Sequence, residues 1–198
     1  MADAKTSFEE IRDSVNNNKI SFAAFLLRNH IEHVAPELVE FLGGSVPFRM
    51  DGAYNGGQML GSAVNRLGDL LGIAGQPDRV LKNSEKVKQV IGMIDEFKKS
   101  KAQQNVEQWA INSAVHYNPW ENFVAQDFMP VVDAFEKLLS CFRCDECESS
   151  LYLLPRNCFK GKEESLRCDC GTVNFNLKKP NATMRHKRKS KTSEAAAN

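Results

Sequence analysis

The sequence lacks the signatures of several common protein classes. It contains no unbroken apolar run of about twenty residues, which a membrane-spanning helix requires. It has no glycine-rich phosphate loop, no serine–histidine–aspartate order, no metalloprotease motif and no internal repeat. The pairs Gly43-Gly44 and Gly56-Gly57 are interpreted as helix stops. Since no secretory signal is visible either, we expect a cytoplasmic protein whose thiols are reduced.

Charge is balanced over the whole chain but unevenly distributed along it. The 198 residues carry a formal charge of +1, and 42% are hydrophobic, which is typical of a globular protein. The first 177 residues hold 19 basic and 24 acidic side chains, whereas the remainder holds seven basic and one acidic. Such a basic tail can attract a nucleic-acid backbone, although a solvated terminus is an equal alternative. The candidate phosphate-binding residues are Lys178, Lys179, Arg185, Lys187, Arg188 and Lys189.

Apolar residues recur at helical spacing through the first 142 residues. Ser7 and Glu10 have the spacing of a capping box, and Pro36 predicts a kink or a new turn in the second helix. The polar segment 98–104 predicts a break between two helices. Six helices are expected: residues 7–16, 21–42, about 60–71, 84–97, 105–116 and 127–142.

The C-terminal part changes to strand-like patterns. Residues 151–154, 165–167 and 172–177 are predicted to form three short strands. The expected fold class is therefore mainly α: a helical bundle with a small C-terminal β zinc ribbon and a disordered basic tail. The predicted divisions are a helical domain at 1–142, the zinc ribbon at 143–178 and the tail at 179–198.

Two cysteine pairs flank the predicted strands. Cys144 and Cys147 form the first pair, and Cys168 and Cys170, followed by a glycine, form the second. Pairs of this spacing can place four thiolates around one tetrahedral Zn²⁺. Four thiolates leave no open coordination position, so the predicted zinc is structural.

Other assignments of the six cysteines remain open. Cys141 stands three residues before Cys144 and could form a rival pair with it, although a buried apolar thiol at the end of the preceding helix fits it better. Cys158 lies in the predicted hairpin connection and is interpreted as a bystander. An iron–sulfur cluster, disulfides and free cysteines are the alternatives to zinc.

Two segments resemble the Arg-Asn-x-x-x-His motif of HEPN ribonucleases. The first is Arg28-Asn29-His30-Ile31-Glu32-His33, and the second is Asn112-Ser113-Ala114-Val115-His116. Their setting is similar to one branch of HEPN-like domains, in which an early Leu-Arg-x-x-aliphatic-Glu helix precedes an Asn-x-x-x-His and a long amphipathic helix. The resemblance covers about residues 20–142.

This resemblance implies metal-independent cleavage of RNA, as in toxin–antitoxin or phage-defence systems. His116 would be the general acid or base, and Asn112 would orient it. Arg28 and Glu32, four residues apart on one helical face, would supply charge from a neighbouring helix. Ile111 occupies the position where the motif has arginine, so activity would require Arg28 to substitute, within the bundle or from a second subunit of a homodimer.

A non-catalytic adaptor is the rival interpretation. Ile111 favours it, because the usual arginine of the motif is missing. In this interpretation a degenerate helical domain binds a larger ATPase or nuclease subunit. The zinc ribbon and tail bind either nucleic acid, RNA rather than DNA, or that partner.

Overall fold

A computed structural model describes residues 4–76, 84–115, 124–156 and 160–178. These residues form five helices and a three-stranded sheet near the C-terminus. Within these ranges no helix has both the length and the apolar character needed to cross a membrane. The elements are α1 (Ala4–Asn16), α2 (Ile20–Leu42), α3 (Gly56–Ala74), α4 (Ser84–Val115), α5 (Ala125–Ser140), β1 (Tyr152–Leu154), β2 (Ser165–Arg167) and β3 (Asn174–Asn176).

Helices α1 and α2 differ from the prediction at their starts and at Pro36. Helix α1 begins at Ala4, so Ser7 lies inside it and does not cap it. Helix α2 continues through Pro36 without a break. It ends where Gly43 adopts a left-handed conformation with φ of 61° and donates its N–H to the carbonyl of Glu40. The Gly43-Gly44 pair is thus a helix stop, as predicted.

The second glycine pair begins a helix instead of ending one. Gly56 is the first residue of α3, and the side chain of Asn55 caps that helix by accepting the N–H of Gln58 at 2.7 Å. A Cβ atom on Gly56 would lie 2.6 Å from Cγ of Glu32, so only glycine allows this close approach to α2. The helix then runs through Gly72 to Ala74.

The break predicted at residues 98–104 is absent, and α4 is one helix of 32 residues. The segment contains no glycine or proline, and Lys, Ala and Gln are strong helix formers. It is also anchored to its neighbours, because Ser100 is buried and Lys101 donates to Asn65 of α3 at 3.0 Å. The described part therefore has five helices where the sequence predicted six.

Helix α5 leads directly into the sheet. It begins at Ala125, and the carboxylate of Asp127 accepts the N–H of Val124 at 3.2 Å. It ends at Ser140, so Phe142, predicted to be helical, lies in the turn that follows. The three strands are antiparallel in the order β1-β2-β3, with Leu153 opposite Leu166 and Leu166 opposite Phe175. We refer to residues 141–178 as the cysteine-sheet unit.

The hydrophobic core continues from the helices into the cysteine-sheet unit. Phe128 and Phe135 of α5 lie in the same buried cluster as Leu27 of α2, Leu153 of β1 and Leu166 of β2. The division into domains at residue 143 stays a prediction. Nevertheless, the packing across that position is continuous, so we expect the stability of the helices and of the sheet to be coupled.

A buried ion pair joins α3 to the cysteine-sheet unit. Arg66 and Glu163 are each only 5% exposed at their side chains, and the guanidinium donates to the carboxylate. Arg66 also donates from Nε to the carbonyl of Leu42 at the end of α2, at 3.0 Å. Glu163 accepts the N–H of Gly161 at 2.6 Å. The pair therefore connects three segments that are distant in sequence.

Candidate metal centre

The first cysteine pair lies in a tight turn after α5. Cys144 donates its N–H to the carbonyl of Ser149 at 3.0 Å, and Glu148 donates to the carbonyl of Cys144 at 2.8 Å. Glu148 has a φ of 55°, the left-handed conformation that lets the chain reverse. A bridge between Arg143 and Ser150 closes the loop. The turn thereby directs Cys144 and Cys147 to one side.

The second cysteine pair follows β2 in a similar turn. Cys168 donates its N–H to the carbonyl of Val173 at 3.1 Å, and Gly171 donates to the carbonyl of Cys168 at 3.3 Å. Gly171 has a φ of 79°, which explains the glycine after the pair. Because β1 and β2 are paired, the two turns meet at the same end of the sheet.

The four predicted ligand residues come together in the structure. The sulfur atoms of Cys144, Cys147, Cys168 and Cys170 all lie within 4.8 Å of one another. Cys168 and Cys170 are 3.4 Å apart, and Cys144 and Cys170 are 3.7 Å apart. Four sulfurs at about 2.3 Å from a tetrahedral Zn²⁺ would be separated by about 3.8 Å. The cluster could therefore hold a metal ion, and its dimensions are consistent with zinc.

The same distances argue against disulfides within the cluster. A disulfide requires an S–S separation of about 2.05 Å. The four thiols are free, with Cys144 and Cys168 buried, Cys147 half-buried and Cys170 exposed. A metal ion bound by all four thiolates would have no open position for a reacting water or substrate.

The surroundings of the thiols affect their pKa values in opposite directions. Burial raises the pKa of Cys144 to about 12. Hydrogen bonds with the hydroxyl and the backbone of Ser149 lower the pKa of Cys147 to about 6. A divalent cation in the cluster would stabilise all four thiolates, including that of Cys144.

Polar groups beside the cluster connect the two turns. Ser149 Oγ lies 3.1 Å from Sγ of Cys147 and accepts the N–H of Asp169 at 3.0 Å. The N–H of Val173 donates to Sγ of Cys168 at 3.2 Å, and Thr172 Oγ1 lies 3.2 Å from Sγ of Cys170. Such contacts orient thiolate ligands. No sequence pattern indicates the role of Ser149, because this link depends on how the two turns meet in space.

The remaining cysteines differ from these four. Cys141 follows α5 directly, is half-buried and donates its thiol to the carbonyl of Lys137 at 3.3 Å. Burial raises the pKa of this thiol. It is not among the clustered thiols, which favours the set of four over the rival pair with Cys144. Cys158 lies outside the residues that the structure describes.

The predicted catalytic residues are described only in part. Arg28 Nε donates to Oε1 of Glu32 at 2.9 Å, and both side chains are about 40% exposed. The predicted proximity on one helical face is thus present as an i,i+4 ion pair. Asn112 belongs to α4, but its side chain and the whole of His116 lie outside the described part.

The two histidines of α2, His30 and His33, differ in how far they are exposed. His30 packs edge to face against Phe8, with ring centroids 5.0 Å apart. Burial, together with the charge of Arg143, lowers the pKa of His30. His33 is exposed. Among the described residues the clustered groups suited to a metal include neither of them.

Of the predicted nucleic-acid-binding residues, Lys178 alone is described. Its Nζ lies 2.8 Å from Oε1 of Glu164, in an exposed ion pair. The other five, Lys179, Arg185, Lys187, Arg188 and Lys189, lie outside the described residues. Lys178 follows β3 by two residues, so the basic tail begins at the edge of the sheet.

Comparison with known proteins gives no match. No protein-family model matches the chain, and neither a curated protein nor a solved structure matches it. The resemblance to HEPN-like domains therefore rests on the motif residues and their order alone. Function has to be inferred from the site and from the charge distribution.

Proposed function

We propose that this chain is a nucleic-acid-binding protein in which a structural zinc ion fixes the sheet from which a basic tail extends. The observation that carries the proposal is the closed set of four thiols at one end of a three-stranded sheet. A closed set suits a structural ion, and the tail that begins after Lys178 supplies the positive charge. The HEPN-like layout directs the proposal to RNA rather than DNA.

The ion pair of Arg28 favours binding without catalysis, because its guanidinium is already held by a carboxylate. Arg28 is paired with Glu32 on an exposed helix face. The cavities of about 650 Å³ beside Arg66 and about 400 Å³ beside His30 are lined by other residues than Arg28 and Glu32. In this adaptor function the helical part would bind a larger ATPase or nuclease subunit.

An exposed apolar loop supports the adaptor function. Phe48 and Met50, between α2 and α3, are 85% and 97% exposed. The loop has internal contacts, because Arg49 pairs with both oxygens of Asp51 and donates its backbone N–H to the hydroxyl of Tyr54 at 3.1 Å. Large apolar side chains held out in this way are typical of a protein-binding surface.

Neutralising the tail is expected to weaken RNA binding and its salt dependence. Each phosphate contact to a single strand contributes about 0.7 to the slope of log affinity against log salt. Fourfold substitution to glutamine in the tail should therefore reduce that slope by up to about 3. The measurement is fluorescence anisotropy of a labelled single-stranded RNA between low and moderate salt. The substituted residues are Arg185, Lys187, Arg188 and Lys189.

A matched control removes the same charge elsewhere. Four exposed lysines of α4 are substituted to glutamine, and this variant should retain the wild-type slope. A tail variant that binds RNA as the wild type does, at every salt concentration, would refute the role of the tail. The control residues are Lys86, Lys88, Lys98 and Lys99.

Ribonuclease activity is the second candidate function, and the packing of α4 favours it. Helix α4 is antiparallel to α3, since Phe97 lies beside Gly68 and Lys101 beside Asn65. On α3, Gly56 lies nine residues from Asn65, which corresponds to about 14 Å at a helical rise of about 1.5 Å per residue. On α4, Asn112 lies eleven residues from Lys101, or about 16 Å.

The turn of α4 that carries Asn112 would therefore lie near the level of Gly56. Gly56 contacts Glu32, and α2 and α4 contact each other. Such a placement would bring Asn112 close to Arg28 and Glu32, as an active site between helices requires, and His116 follows one turn later in the sequence.

The ribonuclease candidate predicts RNA cleavage without added metal. His116→Ala should lower the cleavage rate at least about 100-fold, because it removes the general acid or base. The assay follows a labelled RNA in the presence of a chelator weak enough to leave the cysteine cluster loaded. Lys88→Ala, which changes an exposed side chain of α4 outside both motif segments, is the control and should cleave like the wild type. Equal cleavage rates for wild type and His116→Ala would contradict the ribonuclease candidate, and the adaptor function would be the one that remains.

A further inference from the structure

A groove with an apolar floor and an acidic rim lies between the helices and the first cysteine turn. Its volume is about 400 Å³. Phe8 of α1, Val34 and Leu38 of α2 and Leu139 of α5 provide its apolar lining. Its polar rim is formed by the turn that contains Cys144 together with polar side chains of α2 and α5. The groove is a separate cavity from the cluster of four thiols, although Cys144 of that cluster is among its lining residues.

The titratable groups of the groove are mostly acidic. One guanidinium, that of Arg143, faces four carboxylates. Burial first, and the charge of Arg143 second, lower the pKa of His30, so the charged form of this imidazole is disfavoured. One of the carboxylates is paired with Arg12, and the others are exposed. The four carboxylates belong to Glu37, Glu136, Asp145 and Glu148.

The metal would add further negative charge at the same end. Four thiolates around one Zn²⁺ carry a formal charge of −2, and Cys144 lines the groove. This negative charge depends on the proposed zinc ion, whereas the negative charge of the carboxylates does not. A groove of this kind fits a cationic segment whose long side chains lie along the apolar floor and whose charged ends reach the rim.

The chain itself contains such a segment within reach. Ser150 lines the groove, and the sheet register places it about six residues from Lys178 along the strand direction. The two residues are also separated by two strand spacings across the sheet. The distance between Ser150 and Lys178 is therefore about 22 Å. From Lys178 to Arg188 an extended chain spans up to about 34 Å. The segment Arg185–Lys191 carries five basic side chains and no acidic one, and Met184 precedes it.

We propose that the basic segment Arg185–Lys191 docks in this acidic groove of the same chain. The body of the protein then acts as a competitor of RNA for the tail. RNA binding, which rests on the proposed function, would require the segment to leave the groove. The docking itself needs no nucleic acid and can be measured without it.

Backbone ¹⁵N relaxation of the full-length protein without nucleic acid tests the docking. At low salt the amides of residues 185–191 should have order parameters above about 0.6, and in 0.5 M NaCl they should fall below that value, because docking depends on charge. Neutralising the exposed rim carboxylates should release the segment in the same way at low salt. That variant combines Glu37→Gln, Asp145→Asn and Glu148→Gln.

Two further variants keep the test interpretable. A control that neutralises three exposed carboxylates outside the groove should keep the segment docked. A tail variant, Lys187→Gln with Arg188→Gln and Lys189→Gln, leaves the body unchanged and should release the segment even if the rim variant folds poorly. The control variant, with its three substitutions outside the groove, combines Glu10→Gln, Glu40→Gln and Asp95→Asn.

The outcomes separate this proposal from the proposed function. Order parameters below about 0.6 in the wild type at low salt would overturn the docking and leave the groove to a basic segment of another protein. Equal release by the rim variant and its control would overturn it as well. If the segment docks and the protein binds RNA, the rim variant should bind RNA severalfold more tightly. If it docks and no RNA binds, only the proposed function fails.

Discussion

Replacing Cys168 with serine is expected to abolish binding of the proposed zinc ion and to destabilise the whole described fold. A serine hydroxyl is a poor ligand for zinc, and structural zinc supplies about 10–16 kcal/mol of apparent binding free energy in small zinc domains. Cys168 is 1% exposed and belongs to the hydrophobic core shared by helices and sheet. The free energy of unfolding should therefore fall by at least about 4 kcal/mol, a loss of the size associated with a lost metal. Urea denaturation monitored by helical circular dichroism measures it.

Cys141→Ser is the matched control for this substitution. Cys141 is half-buried three residues before the first ligand, and a serine can repeat its hydrogen bond to the carbonyl of Lys137. It should keep the metal and change the unfolding free energy by about 1 kcal/mol or less. Metal loss in Cys141→Ser with metal retained in Cys168→Ser would replace the proposed ligand set by one that includes Cys141.

Removing one partner of the buried pair Arg66–Glu163 is expected to have the second large effect. Breaking a buried ion pair leaves one charge without compensation and costs about 3–5 kcal/mol. Glu163→Gln keeps the size of the side chain and removes its charge beside Arg66. A chemical denaturation curve at pH 7 should show this loss. The double variant Arg66→Met with Glu163→Leu should be more stable than Glu163→Gln, since neither charge is then buried.

The exposed pair of α2 provides the comparison. Glu32→Gln breaks the ion pair with Arg28, and exposed i,i+4 pairs contribute about 0.3–0.5 kcal/mol. A loss at Glu163 no larger than the loss at Glu32 would contradict the structural role of the buried pair.

The effect of Glu163→Gln should also depend on pH. Burial, the largest single effect, raises the pKa of Glu163, but the hydrogen bond and charge of Arg66 together with backbone hydrogen bonds outweigh it, so the pKa is lowered. A lowered carboxyl pKa stabilises the fold above the unfolded value of about 4.3 and loses that effect as the pH falls below it. The stability difference between wild type and Glu163→Gln should therefore shrink in acid.

The sequence predicted the cysteine cluster better than it predicted the helices. Spacing within each pair is a local property, and Cys144, Cys147, Cys168 and Cys170 are together as expected. The interpretation of Gly56-Gly57 as a helix stop was wrong, because α3 begins at Gly56 and this glycine serves tertiary packing. Gly56 allows α3 to approach Glu32, and no local pattern contains this contact.

Long-range contacts also explain the other differences. The polar segment 98–104 stays helical partly because Lys101 reaches Asn65, and Pro36 stays within α2, which is buried along one side against α1 and α3. The pairing of Arg66 with Glu163 joins residues 97 positions apart and could not be read from either neighbourhood. Whether His116 completes a site with Arg28 stays a prediction.

Native mass spectrometry of the full chain tests the central claim most directly. We predict one zinc ion per chain, lost in Cys168→Ser and retained in Cys141→Ser. A metal-free chain with disulfides among Cys144, Cys147, Cys168 and Cys170, or a chain that carries an iron–sulfur cluster, would contradict the zinc centre.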